Sequence, residues 1–334
     1  MENQDFVLDI KNLSTSFVSD HKEVRIVKDV SLRLRRGTTL AVVGESGCGK
    51  SVTVHSIVKL MPKNAKVTAD HVIYNSAKDG KAYRLDQMEP YGPEMRQLRG
   101  AEIGMVFQDP MSSLNPVYKV GAQVAEGLIQ HTGMDKKEAE QKVLEMFRKL
   151  GIPDPESRIH DFPHQFSGGM KQRVVIAIAM ICNPDVIIAD EPTTALDVTI
   201  QAKIMELMKS LQVNDHKSII LITHNMGLVA EMADEVCVMY MGRVMEFGSL
   251  EDIFEHPSHP YTEALLRSVP VLGLAEGQEL ETIPGITPNP ADLGPGCEFA
   301  GRCPFCEERY IPRFEVSPGH YVRCLKYDSF QEVE

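Results

Sequence analysis

The chain has 334 residues, 43% hydrophobic and 25% charged, with a formal net charge of −12 at pH 7. That length suits one large domain with an appendage, or two domains, and the composition suffices for a buried core. The acidic balance argues against a large nucleic-acid-binding face, and no apolar stretch approaches the roughly 18–20 residues that a membrane span needs.

Met1 to Asp5 is polar and acidic, so no secretory signal is expected, and the reading is a soluble, intracellular protein whose membrane role, if any, comes through a partner. Residues 6–13 and 30–34 read as short strands. Between them Phe17 is placed in a polar turn ahead of Val24 to Val27, where an exposed aromatic could stack on a purine base or simply anchor a loop.

The apolar run Thr39 to Val43 is followed by Gly44-Glu45-Ser46-Gly47-Cys48-Gly49-Lys50-Ser51, and then by Val52 to Leu60 with apolar residues at helical spacing. Strand, glycine-rich turn and helix together fit the phosphate-loop pattern. Its glycines permit close backbone approach, so successive amides can point at an anion, and the helix adds its positive N-terminal end. Lys50 is expected at the β- and γ-phosphates and the Ser51 hydroxyl at Mg²⁺. The bland reading is a glycine-rich turn that binds nothing, but the flanking strand and helix are the context the motif requires.

A poorly periodic stretch, 63–101, precedes the strand Ile103 to Phe107, which ends in Gln108. Asp109 to Pro116 is turn-rich. A helix over 135–150 carries Ala139, Val143, Phe147 and Leu150 on one face and stops at Gly151. Phe166-Ser167-Gly168-Gly169-Met170-Lys171-Gln172-Arg173 opens a helix running from Val174 to Cys182. The apolar strand Val186 to Ala189 then delivers Asp190 and Glu191 at its C-terminal end. After a helix over 198–212, the strand Ile219 to Thr223 delivers His224, and Val236 to Tyr240 is a further strand.

Strands alternating with helices predict an α/β fold with a largely parallel core sheet, in which ligands bind at the C-terminal strand ends. Gly44, Gln108, Asp190, Glu191 and His224 all fall at such ends and are expected to converge. Asp190 suits Mg²⁺ through water, Glu191 can polarise an attacking water, His224 can contact the γ-phosphate, and Gln108 can reach both metal and water. Taken singly, each has a bland alternative that would be favoured, a surface carboxylate or a satisfied histidine, and finding all four at strand ends after a phosphate loop reverses that preference.

Of seven cysteines, Cys48, Cys182 and Cys237 are scattered and read as small hydrophobes. Cys297, Cys303, Cys306 and Cys324 cluster near the end, which in a reducing compartment suggests metal before disulfide. Four thiolates suit a Cys₄ zinc site or a [4Fe–4S] cluster, and unliganded cysteines are the third option.

Taken in order, these motifs resemble the ATPase subunit of an ABC transporter, over about residues 6–250. Gly44 to Ser51 matches the Walker A loop, Gln108 the Q-loop, Phe166 to Gln172 the signature, Val186 to Glu191 Walker B, Ala195-Leu196-Asp197 the D-loop, and His224 the switch histidine. The signature departs from the commonest form, with Phe166 for Leu and Met170 for Gln. The resemblance implies ATP contacts from Phe17, Gly44, Ser46, Gly47, Cys48, Gly49, Lys50, Ser51, Val52, Gln108 and Asp190, and Mg²⁺ held at Ser51, Gln108 and Asp190. It also implies a partner's ATP at Ser167, Gly168 and Gly169, with Glu191, His224, Gln108 and Lys50 serving catalysis.

Phe107 to Pro116, His259-Pro260-Tyr261-Thr262, Ala264-Leu265-Leu266 and Ile283-Pro284-Gly285 are similar to peptide- and nickel-importer ATPases, above all the dipeptide and oligopeptide type. That resemblance implies a P-loop NTPase with a RecA-like parallel-sheet core, an antiparallel β subdomain, an inserted helical subdomain at about 109–165 and a small cysteine-containing C-terminal extension. The nucleotide-binding domain would span 1–255 and the extension 256–334. The implied partners are membrane permease subunits, a second ATPase subunit (the same chain or a related one) and, indirectly, an extracytoplasmic substrate-binding protein. The implied place is the cytoplasmic face of the membrane. The resemblance favours iron over zinc at Cys297, Cys303, Cys306 and Cys324, although the family's third cysteine usually lies nearer Tyr310.

Three other readings remain open: a nickel importer of the same family, a soluble ABC ATPase acting on nucleic acid or the ribosome, and a redox enzyme built on the cysteines. The chain has neither the long coiled-coil insertion of the DNA-repair type nor a second cassette. Gly44 to Ser51 does not fit a dinucleotide fingerprint.

Overall fold

The computed structural model describes residues 5–19, 22–193, 198–268, 283, 285–294, 296–303, 305 and 310–333. Its two longest strands, β1 (Phe6–Ser19) and β2 (Lys22–Arg35), pair antiparallel. Phe17 lies within β1, opposite Val24 and Ala65, and not in a turn. Ser14, Thr15 and Ser16 suggested a turn by their polarity, yet all three are buried. Two of the three hydroxyls have partners at hand: Thr15 Oγ1 lies 2.7 Å from Ser56 Oγ, and Arg25 donates to Ser14 Oγ at 2.7 Å.

β3 (Thr39–Val43) is buried at every position, as expected of a strand covered on both faces. It leads into α1 (Lys50–Ile57). The stretch that showed no clear period yields three short strands, β4 (Ala65–Thr68), β5 (His71–Asn75) and β6 (Ala82–Arg84), and the helix α2 (Pro93–Ala101). β4 and β5 pair with β1 and β6 pairs with β5, so among the described residues a five-stranded antiparallel sheet results.

β7 (Ile103–Val106) is followed by helices only: α3 (Pro110–Ser113), α4 (Val120–Thr132), α5 (Lys136–Lys149), α6 (Pro155–Arg158) and α7 (Gly168–Met180). α5 begins where the Asp135 carboxylate accepts from the amides of Lys137 and Glu138, and Gly151 leaves it with a φ of +65°. β8 (Val186–Asp190), α8 (Val198–Asp215), β9 (Ser218–Thr223), α9 (Met226–Met232) and β10 (Glu235–Tyr240) continue the α/β alternation. β11 (Arg243–Ser249), α10 (Leu250–Glu255), α11 (Pro260–Arg267), β12 (Arg313–Ser317), β13 (His320–Val322) and β14 (Glu332–Val333) complete the described chain.

The second sheet has the order β14-β12-β13-β11-β10-β3-β9-β8-β7, parallel from β10 to β7 and antiparallel from β11 outward. The last strands therefore extend the core sheet instead of forming a detached lobe. Side-chain alternation divides the core in two. Ile187, Ala189, Ile219 and Leu221 face α4, α5, α7 and α8, while Val186, Ile188, Ile220 and Ile222 face α1, β1 and β2. A third cluster joins β10 to α9, α11 and the tail through Val236, Tyr240, Tyr261, Phe299, Phe314 and Val322. Among the described residues no helix is long and apolar enough to cross a membrane.

Candidate nucleotide site

The glycine-rich loop turns sharply between β3 and α1, and the local chemistry accounts for its glycines. Gly44 has a φ of +146°, and a Cβ there would lie 2.1 Å from the Met239 carbonyl oxygen of β10. Gly49 caps α1 in the left-handed region at a φ of +100°. Ser46 and Gly47 are exposed at the tip, whereas Cys48 and Lys50 are buried. Burial pushes the Cys48 thiol up, although the Lys50 ammonium opposes the shift. Val52, one residue into the helix from Ser51, is half-buried against the core that holds β1 and β2.

Lys50 folds back on its own loop, donating from Nζ to the carbonyls of Gly44 (2.8 Å) and Glu45 (2.9 Å). Ser51 Oγ donates to Asp190 Oδ1 at 3.0 Å. These two oxygens, a hydroxyl and a carboxylate, are the hard donors that Mg²⁺ takes, so the residues fit that ion. Burial pushes the Asp190 carboxyl up from the usual range, with the Ser51 hydrogen bond acting against it. A cation at this carboxylate would relieve that cost.

Glu191 stands one residue beyond β8, with a φ of +45° that non-glycine residues seldom adopt. Its amide donates to the Ile222 carbonyl at 3.0 Å, which holds the turn against β9. Its carboxylate is bracketed: Gln108 Nε2 donates to Oε2 at 2.9 Å, and His224 Nδ1 lies 3.2 Å from Oε1. The four strand ends expected to converge thus do so. Phe17 is half-buried in β1.

Among the described residues, no hydrogen bond ties Ser167, Gly168 or Gly169 to this group. They form the N-terminus of α7, where Ser167 caps the helix by accepting from Met170 N at 3.3 Å. Gly169 is closely packed, since a Cβ there would lie 2.6 Å from Ile200. Ala195, Leu196 and Asp197, matched to the D-loop, lie outside the described residues.

The cysteine expectation fares less well. Cys297, Cys303 and Cys324 belong to one apolar cluster, and Cys306 lies outside the described residues. Among the described residues no group of three or more His, Cys, Asp or Glu side chains is placed to hold a metal ion. The described thiols are packed chiefly among hydrophobic side chains. Burial is the main cause pushing the Cys324 thiol up, with Cys303 adding to it.

Three contacts to the site escaped sequence reasoning. His55 Nε2 lies 3.8 Å from Asp190 Oδ2, and burial pushes its pKa down against that carboxylate's pull. The signal was there, because His55 follows Ser51 by one helical turn and so shares its face. Tyr261 and Arg302 reach Glu45 from more than 200 residues away. No local pattern announces them.

Against known families, residues 27–194 match the ABC transporter model, and residues 245–309 match the oligopeptide/dipeptide transporter C-terminal region. The dipeptide transport ATP-binding protein of Bacillus subtilis (strain 168) is 50% identical over 331 residues, spanning 98% of this chain and 96% of its own. The oligopeptide transport ATP-binding protein of the same organism is 47% identical over 322 residues, with 95% and 88% covered. A dimeric ATP-binding cassette solved in a post-hydrolysis state with ADP and Pi is similar at a TM-score of 0.63 and 28% identity, covering 73% of this chain and 98% of its own.

Proposed function

We propose, for a chain that belongs to the ATP-binding proteins of ABC-type peptide transporters, that it hydrolyses ATP to drive import of dipeptides or oligopeptides through a membrane permease. The observation that carries the reading is the convergence of Lys50, Ser51, Asp190, Glu191, Gln108 and His224 at adjoining strand ends. Bound Mg²⁺ would supply charge neutralisation at the phosphates. Ser51 and Asp190 would hold it, with Gln108 within the same group. Glu191 accepts the proton of, or orients, the attacking water, and Gln108 and His224 fix that carboxylate. Lys50 exchanges two neutral carbonyls for phosphate oxygens.

The same reading makes Ser167, Gly168 and Gly169 an anion site for the ATP of a second subunit, since helix N-termini favour negative charge. It places residues 1–255 in the nucleotide-binding domain, with the helices near 109–165 facing a permease at the cytoplasmic side of the membrane. Residues 256–334 form the extension. The resemblance to dipeptide- and oligopeptide-importer ATPases, with the spacing of Cys297, Cys303, Cys306 and Cys324 in the sequence, supports a thiolate-bound iron–sulfur cluster at these four cysteines. The described thiols alone do not make a three-ligand group. Protein purified without oxygen is expected to be brown, and colourless protein with stoichiometric zinc would favour the other metal.

The transport reading is tested by reconstituting the chain with its permease subunits in vesicles. Labelled dipeptide should accumulate with Mg-ATP and fail to accumulate with Lys50→Ala. Accumulation of nickel and not of dipeptide would overturn the choice of cargo.

A further inference from the structure

The phosphate loop is held from outside the core. Arg302 meets Glu45, the second residue of the loop, in a fork: Nη1 lies 2.7 Å from Oε2 and Nη2 3.2 Å from Oε1. The Arg302 side chain is only 5% exposed and that of Glu45 23%, so this is not a surface ion pair. A fork pair screened from water fixes both distance and orientation. The same guanidinium donates to the Tyr240 hydroxyl and the Ile283 carbonyl, each at 3.2 Å. On the other side, the Glu45 amide donates to the Tyr261 hydroxyl at 2.8 Å. Tyr240, Tyr261 and Phe299 pack on one another with ring centres 4.7–5.3 Å apart, under the loop.

Glu45 connects two charges directly. Its carboxylate takes Arg302, and its carbonyl is one of the two that hold Lys50 Nζ. A carboxylate is an odd neighbour for a loop that must receive an anion, because its unpaired charge would repel phosphate. Arg302 cancels that charge, and it does so from the segment that carries Cys297 and Cys303.

We infer that Arg302 is a positioning residue for the phosphate loop: by neutralising and orienting Glu45 it sets the affinity for ATP, so the cysteine-bearing segment acts on nucleotide binding without touching the nucleotide. This rests on the ATP reading above. The charge argument fixes the sign of each variant. Arg302→Met leaves a bare carboxylate beside the anion site and weakens binding. Glu45→Gln removes that carboxylate and leaves a cation, so it strengthens binding.

The experiment is equilibrium binding of Mg-ATP to the full chain, with melting followed in parallel without nucleotide. Arg302→Met should raise the Kd about tenfold, the size expected when a charged hydrogen-bonded pair is lost. Arg302→Lys should recover most of that loss. Glu45→Gln, close in shape to glutamate, should lower the Kd about threefold, and adding it to Arg302→Met should bring the Kd back toward the wild type. A Kd unmoved by Arg302→Met overturns the proposal, as does weaker binding by Glu45→Gln in step with a lower melting temperature, the mark of a plain structural clamp. Should Arg302→Met fail to fold, the sign of the Glu45→Gln effect still decides. A wild-type chain that binds no Mg-ATP would instead remove the nucleotide reading itself.

Discussion

Lys50 and Ser167 stand at the N-terminal ends of two helices, yet the two ends are built differently. At α1 the polar groups are already engaged. Lys50 is held by two loop carbonyls, Ser51 by Asp190, and the Glu191 carboxylate lies between Gln108 and His224. At α7 Ser167 accepts one long bond from Met170 N, and Ser167 and Gly168 face outward. On the proposed reading the first end exchanges partners when nucleotide arrives, so its residues would sense the phosphates. The second has little to exchange and is suited to an anion brought to it. On that reading, the difference makes the two ends unlike halves of a nucleotide site, which a second subunit would complete.

The largest expected effect falls on the engaged half. Glu191→Gln keeps the Gln108 and His224 neighbours but removes the carboxylate proposed to orient water, so turnover should drop about a thousandfold with Mg-ATP binding retained. Steady-state ATPase of the assembled transporter, with binding measured separately, checks this. Loss of binding in proportion to turnover would place Glu191 among the ligands instead.

Next in size is an effect that separates the core from its extension. Glu298 is buried and pairs with Arg243 Nε at 2.5 Å and Lys28 Nζ at 3.5 Å. Burial pushes the Lys28 ammonium down, and Glu298 opposes that shift. Glu298→Gln leaves the buried Lys28 without its carboxylate and Arg243 with only Asp29 at 3.3 Å, and about 3 kcal/mol of stability should be lost. Denaturant melts read this directly. An exposed pair such as Arg148–Glu156, by contrast, should cost far less than that when broken.

The smallest effect is a pH dependence in the same region. His259 is buried, and burial pushes its pKa down to about 3 from an ordinary value of 6.5. Its Nδ1 accepts from the Tyr261 amide at 3.0 Å, so the native bond needs that nitrogen unprotonated. Nearby, the Glu246 carboxylate takes the His259 amide and His320, and Lys326 adds a repelling charge. Between the two pKa values the unfolded chain binds the proton and the folded chain does not, so stability rises with pH and is lost as pH falls below about 6.5. From pH 7 to 5.5 this group alone should account for about 1 kcal/mol. His259→Asn keeps a capping acceptor and should flatten that part of the melting profile.

Much of the engaged half was legible in the sequence because it is local. A strand, a glycine-rich turn and a helix fit within Thr39 to Leu60, and Asp190, Glu191 and His224 each follow a short apolar run that reads as a buried strand and is one. What escaped was non-local or disguised. Phe17 was misplaced because buried Ser14, Thr15 and Ser16 look like a turn until the hydroxyl partners of Ser14 and Thr15 are known. The strands β4 to β6 are three to five residues long, too short to show a period. Tyr261 and Arg302 reach the loop only because β10, α11 and the tail share one apolar cluster. The cysteines were grouped by spacing, and spacing does not report that the described thiols pack chiefly among hydrophobic side chains.

The central claim, that the two unlike ends are halves of one site, is tested most directly by light scattering of Glu191→Gln with and without Mg-ATP. The account predicts a nucleotide-dependent doubling of mass, with the chain itself or with the related ATPase subunit of its transporter, and no doubling when Ser167→Arg is added although ATP still binds. A Glu191→Gln protein that binds Mg-ATP and stays monomeric in both settings would contradict it.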